Sequence, residues 1–421
     1  MNKLFSLLFF LLIAAHAFSQ EEPEPIPNGT QGEVFESDTV KPKRKYEKWY
    51  MFDGPLTTLQ IGGGFLFEFA GYIQDDNAKA QTDSAGAALE HYAVRDFRVT
   101  LSGKFKTKRQ LTWKAGIMYD GGSDSWFLRE SGVMVELPRI RSSIFVGRTK
   151  EGFSLNKVMV GYAGWTMERQ MALDVIPILA DGAKLLGFLP KQRLFWNIGM
   201  YHDFLSKNQS FSTFRWQFAA RVGVLPVANK ATHTLLHLAV NYRYGKVAEG
   251  AIRVRSRPEA NTAGFFIDTD KFLTDHSNHI GGEIYFSRGP LLIGSEYYVH
   301  MFSSPSAGNP SFNGGDVVIT YLITGEKRPY RTASNIYGFV PVDKPVFQGG
   351  PGAWEVVLRW SHLDLDDGTL QGGRLWRITP MVNWYLSKNL RLELAYGYGV
   401  LERFGLKGGT HFFQTRVQLS L

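Results

Sequence analysis

The stretch Thr410-His411-Phe412-Phe413-Gln414-Thr415-Arg416-Val417-Gln418-Leu419-Ser420-Leu421 closes the sequence and alternates strictly from Phe413. Side chains on a strand point alternately to opposite faces. Phe413, Thr415, Val417, Leu419 and Leu421 therefore share a face that is mostly apolar, and Gln414, Arg416, Gln418 and Ser420 share a polar one. Such a strand suits either a soluble sandwich or the closing strand of a membrane barrel, whose outer face meets lipid and whose inner face meets water.

The same pattern recurs upstream. Trp376, Ile378, Val382 and Trp384 oppose Arg377, Thr379, Asn383 and Tyr385, and after the tight turn Ser387-Lys388-Asn389 the alternation resumes at Leu392, Leu394, Tyr396 and Tyr398. Trp354, Val356, Leu358 and Trp360 oppose Glu355, Arg359 and Ser361; Phe65, Phe67 and Phe69 alternate with Leu66, Glu68 and Ala70. About sixteen segments of roughly ten residues can be read this way, each long enough to cross a bilayer on a tilt. Tight turns such as Lys106–Arg109 separate alternate pairs, and Gly- and Pro-rich connections such as Ser303–Gly315 and Arg331–Pro351 separate the others. The expectation is an all-β transmembrane antiparallel barrel over residues 56–421, with short turns at one end and long loops at the other. The stretch from Phe153 to Gln192 is less regular. Met167–Leu189 could hold a short helix, interrupted by Pro177, and the stretch either folds into the lumen or extends outside.

Composition agrees. The 421 residues are 14% aromatic and include 44 glycines, which suits strands, tight turns and interfacial girdles. Lys3, the apolar run Leu4–Ala15 and the small residues Ala15, Ala17 and Ser19 read as a signal peptide over residues 1–19, because the run is too short to span a bilayer. Residues 20–55 read as a polar, disordered leader, acidic at Glu21-Glu22-Pro23-Glu24 and basic at Lys41, Lys43, Arg44 and Lys45. There is no cysteine, so no disulfide, cysteine nucleophile or cysteine-held zinc is possible. No spacing of His or carboxylates marks a metal site or any other cofactor site. The acids Asp364, Asp366 and Asp367 lack the terminal glutamate of a calcium hand.

The formal net charge is +8. The alternation assigns Arg98, Lys104, Lys114, Arg221, Arg243, Arg359, Arg377, Arg391 and Arg416 to the inner face, against Glu68, Glu283, Glu296, Glu355 and Glu393. A net-positive lumen with low-dielectric walls concentrates anions. Arg253, Arg255 and Arg257 recur every second residue and, in an extended chain, form a ladder with rungs about 7 Å apart. Guanidinium groups so spaced can pass an oxyanion from one bidentate contact to the next, unless Glu259, Asp268 and Asp270 neutralise them.

Several segments together resemble the phosphate-selective porin O and P family. They are Val146-Gly147-Arg148-Thr149-Lys150-Glu151-Gly152-Phe153, followed by Met167-Glu168-Arg169; Arg253–Glu259; Leu322–Tyr330; Gly349–Arg359 with Gly352-Ala353-Trp354-Glu355; and Asn383-Trp384-Tyr385. The resemblance covers about Phe65 to Leu421. It implies a sixteen-stranded, trimeric barrel with a basic lumen in the outer membrane of a Gram-negative bacterium, installed by the barrel-assembly machinery. Lys150 matches a motif position, and the chain closes on Leu421 where many outer-membrane barrels close on Phe.

The function expected is passive diffusion of small anions, phosphate or similar oxyanions, with Arg253, Arg255, Arg257, Lys150, Arg98, Lys104, Lys114, Arg221, Arg359 and Arg377 as the candidate lining. A general, non-selective porin shares the fold and competes through the charge at the narrowest point. A barrel enzyme would need a nucleophile, base and orienter together, and no sequence context marks such a set. Nothing points to nucleic acid, since the linker-like Thr324–Tyr330 has no zinc finger to join.

Overall fold

In a computed structural model that describes residues 49–205 and 213–421, the inward and outward faces of Phe413–Ser420 are the ones alternation assigns: Gln414, Arg416 and Gln418 are buried inside and Phe413 is exposed outside. The signal peptide and nearly all of the expected leader lie outside the described residues.

Sixteen antiparallel strands close into one barrel. In chain order they are β1 (Thr58–Gln74), β2 (Tyr92–Phe105), β3 (Leu111–Asp120), β4 (Ser125–Leu128 continued by Ser131–Leu137), β5 (Ser142–Thr149), β6 (Ala180–Leu189), β7 (Leu194–His202) and β8 (Phe214–Asn229). Then come β9 (Thr234–Val247), β10 (His276–Arg288), β11 (Leu291–Phe302), β12 (Ser311–Leu322), β13 (Ala353–Asp367), β14 (Leu370–Tyr385), β15 (Leu390–Arg403) and β16 (Leu406–Ser420). Each strand pairs with the next, and β16 returns to β1 with Ser420 opposite Gly64 and Thr410 opposite Gln74. Closure leaves no sheet edge, which a bilayer would not tolerate. Exposed Val240, Ile284, Ile293, Leu358 and Leu394 belong to the outer apolar band.

The strand ends define two rims. Both the turn after β2 and residue Leu421 lie at the turn end, which in outer-membrane barrels faces the periplasm. At the other rim, α1 (Asp76–Ser84) is capped by Asp75, which accepts a hydrogen bond from the Ala78 amide at 2.7 Å.

Two expectations are corrected. The connection 323–352 leaves β12 at the turn end, because β12 runs downward after the loop that follows β11; the long connections are thus not confined to one rim. Second, Met167–Leu189 holds no regular helix. Met171–Val175 makes a short helical turn, Pro177 follows, and Ala180–Leu189 is strand β6.

Three segments enter the barrel: residues 150–179 and 248–275 from the loop end, and 323–352 from the turn end. The first two pack together through Phe153, Met171, Leu173, Val254, Phe266 and Ile267. The first and third meet through Trp165 and Tyr337, with ring centroids 6.0 Å apart. A glycine makes room for the inward loop, since a Cβ on Gly64 would lie 2.3 Å from the Tyr162 ring.

Candidate functional site: a basic channel wall

The inward loop 150–179 is held by side chains that strand alternation aims at the lumen. At its root, Ser154 donates its hydroxyl to Glu296 at 2.6 Å and Asn156 its amide to the same carboxylate at 2.9 Å. Lys157 and Arg243 converge on one oxygen of Glu151 at 2.6 and 2.9 Å, with all three side chains fully buried. Burial lowers the Lys157 ammonium to about 8, against the opposing pull of Glu151. Further along, Arg328, Arg391 and Gln418 donate to the carbonyls of Ala163, Gly164 and Tyr162 at 2.8, 2.6 and 3.0 Å. A loop buried in a barrel needs such donors, because its carbonyls lack ladder partners.

Much of the expected lining is occupied by this work. Arg221 is fully buried, binds Glu283 at 2.8 Å and donates to the Asn335 carbonyl at 3.1 Å, holding the turn-end segment. Arg359 donates to the Glu168 carbonyl at 2.8 Å and pairs with Glu259. Arg377 lies 4.4 Å over Phe412 and donates to the Pro258 and Glu259 carbonyls. All three face inward as alternation requires, yet at no more than 2% exposure they do not meet water. This corrects their place in the lining. The segments that cover them are far away in sequence, which is why alternation alone counts them as free.

The inner face that keeps access to water is that of β2 to β4. Arg95, Arg98 and Lys114 retain 23%, 15% and 17% of their side-chain exposure, and Lys104 is exposed near the turn end. A one-residue register shift between the two halves of β4 sits at Arg129-Glu130. Glu130 lies 4.0 Å from Lys114 and 3.8 Å from Arg129. Arg98 pairs with Asp96, and its guanidinium lies 4.5 Å over Tyr162 of the inward loop. Lys150 and Arg169 of that loop feel the charges of Glu130, Arg129 and Arg98 or Arg95. Lys184 on β6 donates to the Lys150 carbonyl at 3.1 Å and sits 5.7 Å over Phe145, whose ring Lys114 also approaches, at 5.3 Å.

Six basic side chains thus gather around Glu130 and Asp96, of which Lys150, whose ammonium donates to the Met159 carbonyl, and Lys184 are buried behind the exposed ones. Burial pushes the Lys150 ammonium well below its usual range, and Glu130 only partly offsets this. An anion placed beside it would favour the charged form. Glu168 closes the loop side: burial alone would raise its carboxyl, but Arg95 and Arg416 outweigh that and hold it at about 2.

The ladder is real in position and unequal in charge. Arg253 and Arg255 lie on a hairpin of Ala251–Ser256 against Ile267–Leu273. Arg253 is spent on Asp268 at 2.7 Å. Arg255 and Arg257 approach Phe265, at 3.9 and 4.8 Å from its centroid. Arg257 donates to the Asn261 carbonyl at 2.8 Å and to Gly122 at 3.2 Å, which brings the ladder to the top of the β3–β4 wall.

Alternation missed three members of the site. Lys184 lies in the stretch that reads as irregular, Arg129 sits at a register shift that breaks the period, and Arg169 is on the loop. Among the described residues no group of His and carboxylates could hold a metal ion.

A family model described as phosphate-selective porin O and P matches residues 67–418. Porin O of Pseudomonas aeruginosa is 22% identical over 386 residues, 82% of this chain and 85% of that protein. A Caulobacter vibrioides protein is 28% identical over 174 residues, and there the match spans only 35% of its length. Among solved structures, an anion-selective porin from Comamonas acidovorans superimposes with a TM-score of 0.53 at 12% identity, over 87% of this chain and 100% of that one. The outer-membrane OmpT of Vibrio cholerae gives 0.53 at 11%, over 88% and 100%. At such identities these likenesses establish the fold alone.

Proposed function

The chain belongs to the phosphate-selective porin O and P family and is an outer-membrane porin of the Gram-negative type, and from that premise we propose that it passes small oxyanions, phosphate among them, by diffusion along the β2–β4 wall. The observation that carries the proposal is the gathering of Arg98, Lys114 and Arg169, which stay partly exposed, with Arg129, Lys150 and Lys184 buried behind them, around Glu130 and Asp96. A surplus of positive charge beside low-dielectric walls raises the local anion concentration. Release requires that no single contact be too strong, and Glu130 supplies the competing carboxylate. Arg255 and Arg257 would hand anions from the loop end to this wall, and Lys104 would receive them at the turn end.

The family and fold point to a channel rather than to catalysis, and no reaction is assigned. The proposal includes assembly as a homotrimer in outer-membrane lipid after insertion by the barrel-assembly machinery, as the family implies. The experiment is phosphate block of chloride current in a planar bilayer. Block that weakens in Lys114→Ala/Arg129→Ala supports phosphate recognition at this wall. Chloride current indifferent to phosphate returns the protein to a general anion porin.

A further inference from the structure

One arc of the turn-end rim carries charge of a single sign, in a way that the channel wall does not explain. Four successive turns, after β2, β4, β6 and β8, read Lys-Thr-Lys-Arg-Gln (106–110), Pro-Arg-Ile-Arg (138–141), Pro-Lys-Gln-Arg (190–193) and Lys-Ala-Thr-His (230–233), with no Asp or Glu among them. Lys108, Arg109, Arg139, Arg141, Lys191 and Arg193 are all exposed. Among the described residues the exposed carboxylate that reaches this arc is Asp53, on Lys106 at 2.7 Å; Glu136 nearby is buried. The opposite rim is mixed in sign: exposed Asp75, Asp76, Asp83, Glu90, Asp124 and Asp367 stand among exposed Lys79, Arg215, Arg253, Lys271, Arg374 and Lys407.

These turns join neighbouring strands, so their cations follow one another around the barrel wall. They run parallel to the membrane plane and not along the pore axis. Directly above them, on the same strands, outward-facing Trp113, Leu137 and Trp196 stand where an interfacial girdle belongs. Ile140, 54% exposed, projects between Arg139 and Arg141. An apolar residue between two guanidinium groups, below a Trp layer, matches a surface that meets headgroups and the first acyl carbons.

We propose that this basic arc of the turn-end rim binds the anionic phosphate headgroups of phospholipids in the periplasmic leaflet. Each exposed Lys or Arg near an anionic surface contributes attraction that salt screens within a Debye length. Guanidinium pairs such as Arg139 and Arg141 add bidentate geometry for phosphate oxygens. This inference stands apart from anion selectivity, because a non-selective pore with the same rim would bind the same lipids.

The test is native mass spectrometry of the full chain, refolded and released from micelles doped equally with phosphatidylglycerol and phosphatidylcholine. The expected result is preferential retention of phosphatidylglycerol, roughly fivefold for each engaged cation in dilute salt and fading as salt rises. Arg139→Glu/Arg141→Glu/Lys191→Glu/Arg193→Glu should bring the two lipids to parity, whereas Asp76→Asn/Asp83→Asn at the other rim should leave the preference intact. If the fourfold variant does not fold, Arg139→Gln/Arg141→Gln and the salt series on the wild-type barrel carry the test. Equal retention of the two lipids by the wild type overturns the proposal. So does a preference that survives the substitutions while channel conductance changes, which would make the arc a pore mouth instead.

Discussion

Arg95 of β2 grips Glu168 of the inward loop with two nitrogens, Nε at 2.9 Å and Nη2 at 3.2 Å, while its third donor reaches Asp120 at 3.0 Å. This one guanidinium fastens the free edge of the loop to the wall that keeps water. It shares that task with Tyr162, whose hydroxyl donates to Asp96 on the same strand at 3.1 Å.

The Arg95–Glu168 contact makes the loop sensitive to acid. The Glu168 carboxyl is depressed to about 2 by Arg95 and Arg416 despite its burial. A depressed acid contributes stability that is fully present above its unfolded value near 4 and is lost as pH falls from there toward 2. The contribution is about 3 kcal/mol at most. Protease cleavage within residues 150–179 should therefore rise steeply below about pH 4. Glu168→Gln should show raised cleavage already at neutral pH and a flatter dependence on acid.

Arg221 should behave as a structural residue. Its loss leaves Glu283 buried without its cation and frees the Asn335 carbonyl, at a cost of about 3–5 kcal/mol. Heat-modifiability in detergent should show Arg221→Ala melting earlier. Anion preference of the folded fraction should stay as in the wild type, because Arg221 does not meet water.

Gly64 tests whether the loop must sit where it does. A side chain there would collide with the Tyr162 ring, whose hydroxyl donates to Asp96 at 3.1 Å. Gly64→Val should displace Tyr162 and widen the passage beside Arg98. Single-channel conductance should rise, and unchanged conductance would show that Tyr162 does not border the path.

The ladder should divide between its rungs. Arg253 is neutralised by Asp268, whereas Arg255 stacks on Phe265 and makes no salt bridge among the described residues. Arg255→Ala should lower anion current in dilute salt and matter less as salt rises, since exposed charges act over a Debye length. Arg253→Ala should do little at any salt concentration. Equal effects from the two would contradict this division.

How far the sequence carries can be judged from these residues. The alternation, repeated from Phe413–Leu421 back through the other strands, gives the barrel and the facing of Arg416, Arg359, Arg377 and Arg221, because a period of two is a local property. It does not say which inward cations stay wet. That depends on segments 150–179, 248–275 and 323–352, whose partners lie far off in sequence, 73 residues for Arg95 and Glu168 and 100 for Arg359 and Glu259. The turn-end origin of 323–352 depends on the parity of every preceding strand, so one strand hidden in an irregular stretch, here β6, is enough to mislead. Lys184 is lost with that strand, and Arg129 with the register shift in β4.

The path along the β2–β4 wall should carry net positive charge at the cluster around Glu130. Reversal potential across a planar bilayer with a potassium chloride gradient tests it most directly. The wild type should give a potential whose sign marks chloride as the more permeant ion, with a shift toward zero in Lys114→Ala/Arg129→Ala. A wild-type potential with the sign of potassium selectivity would contradict it.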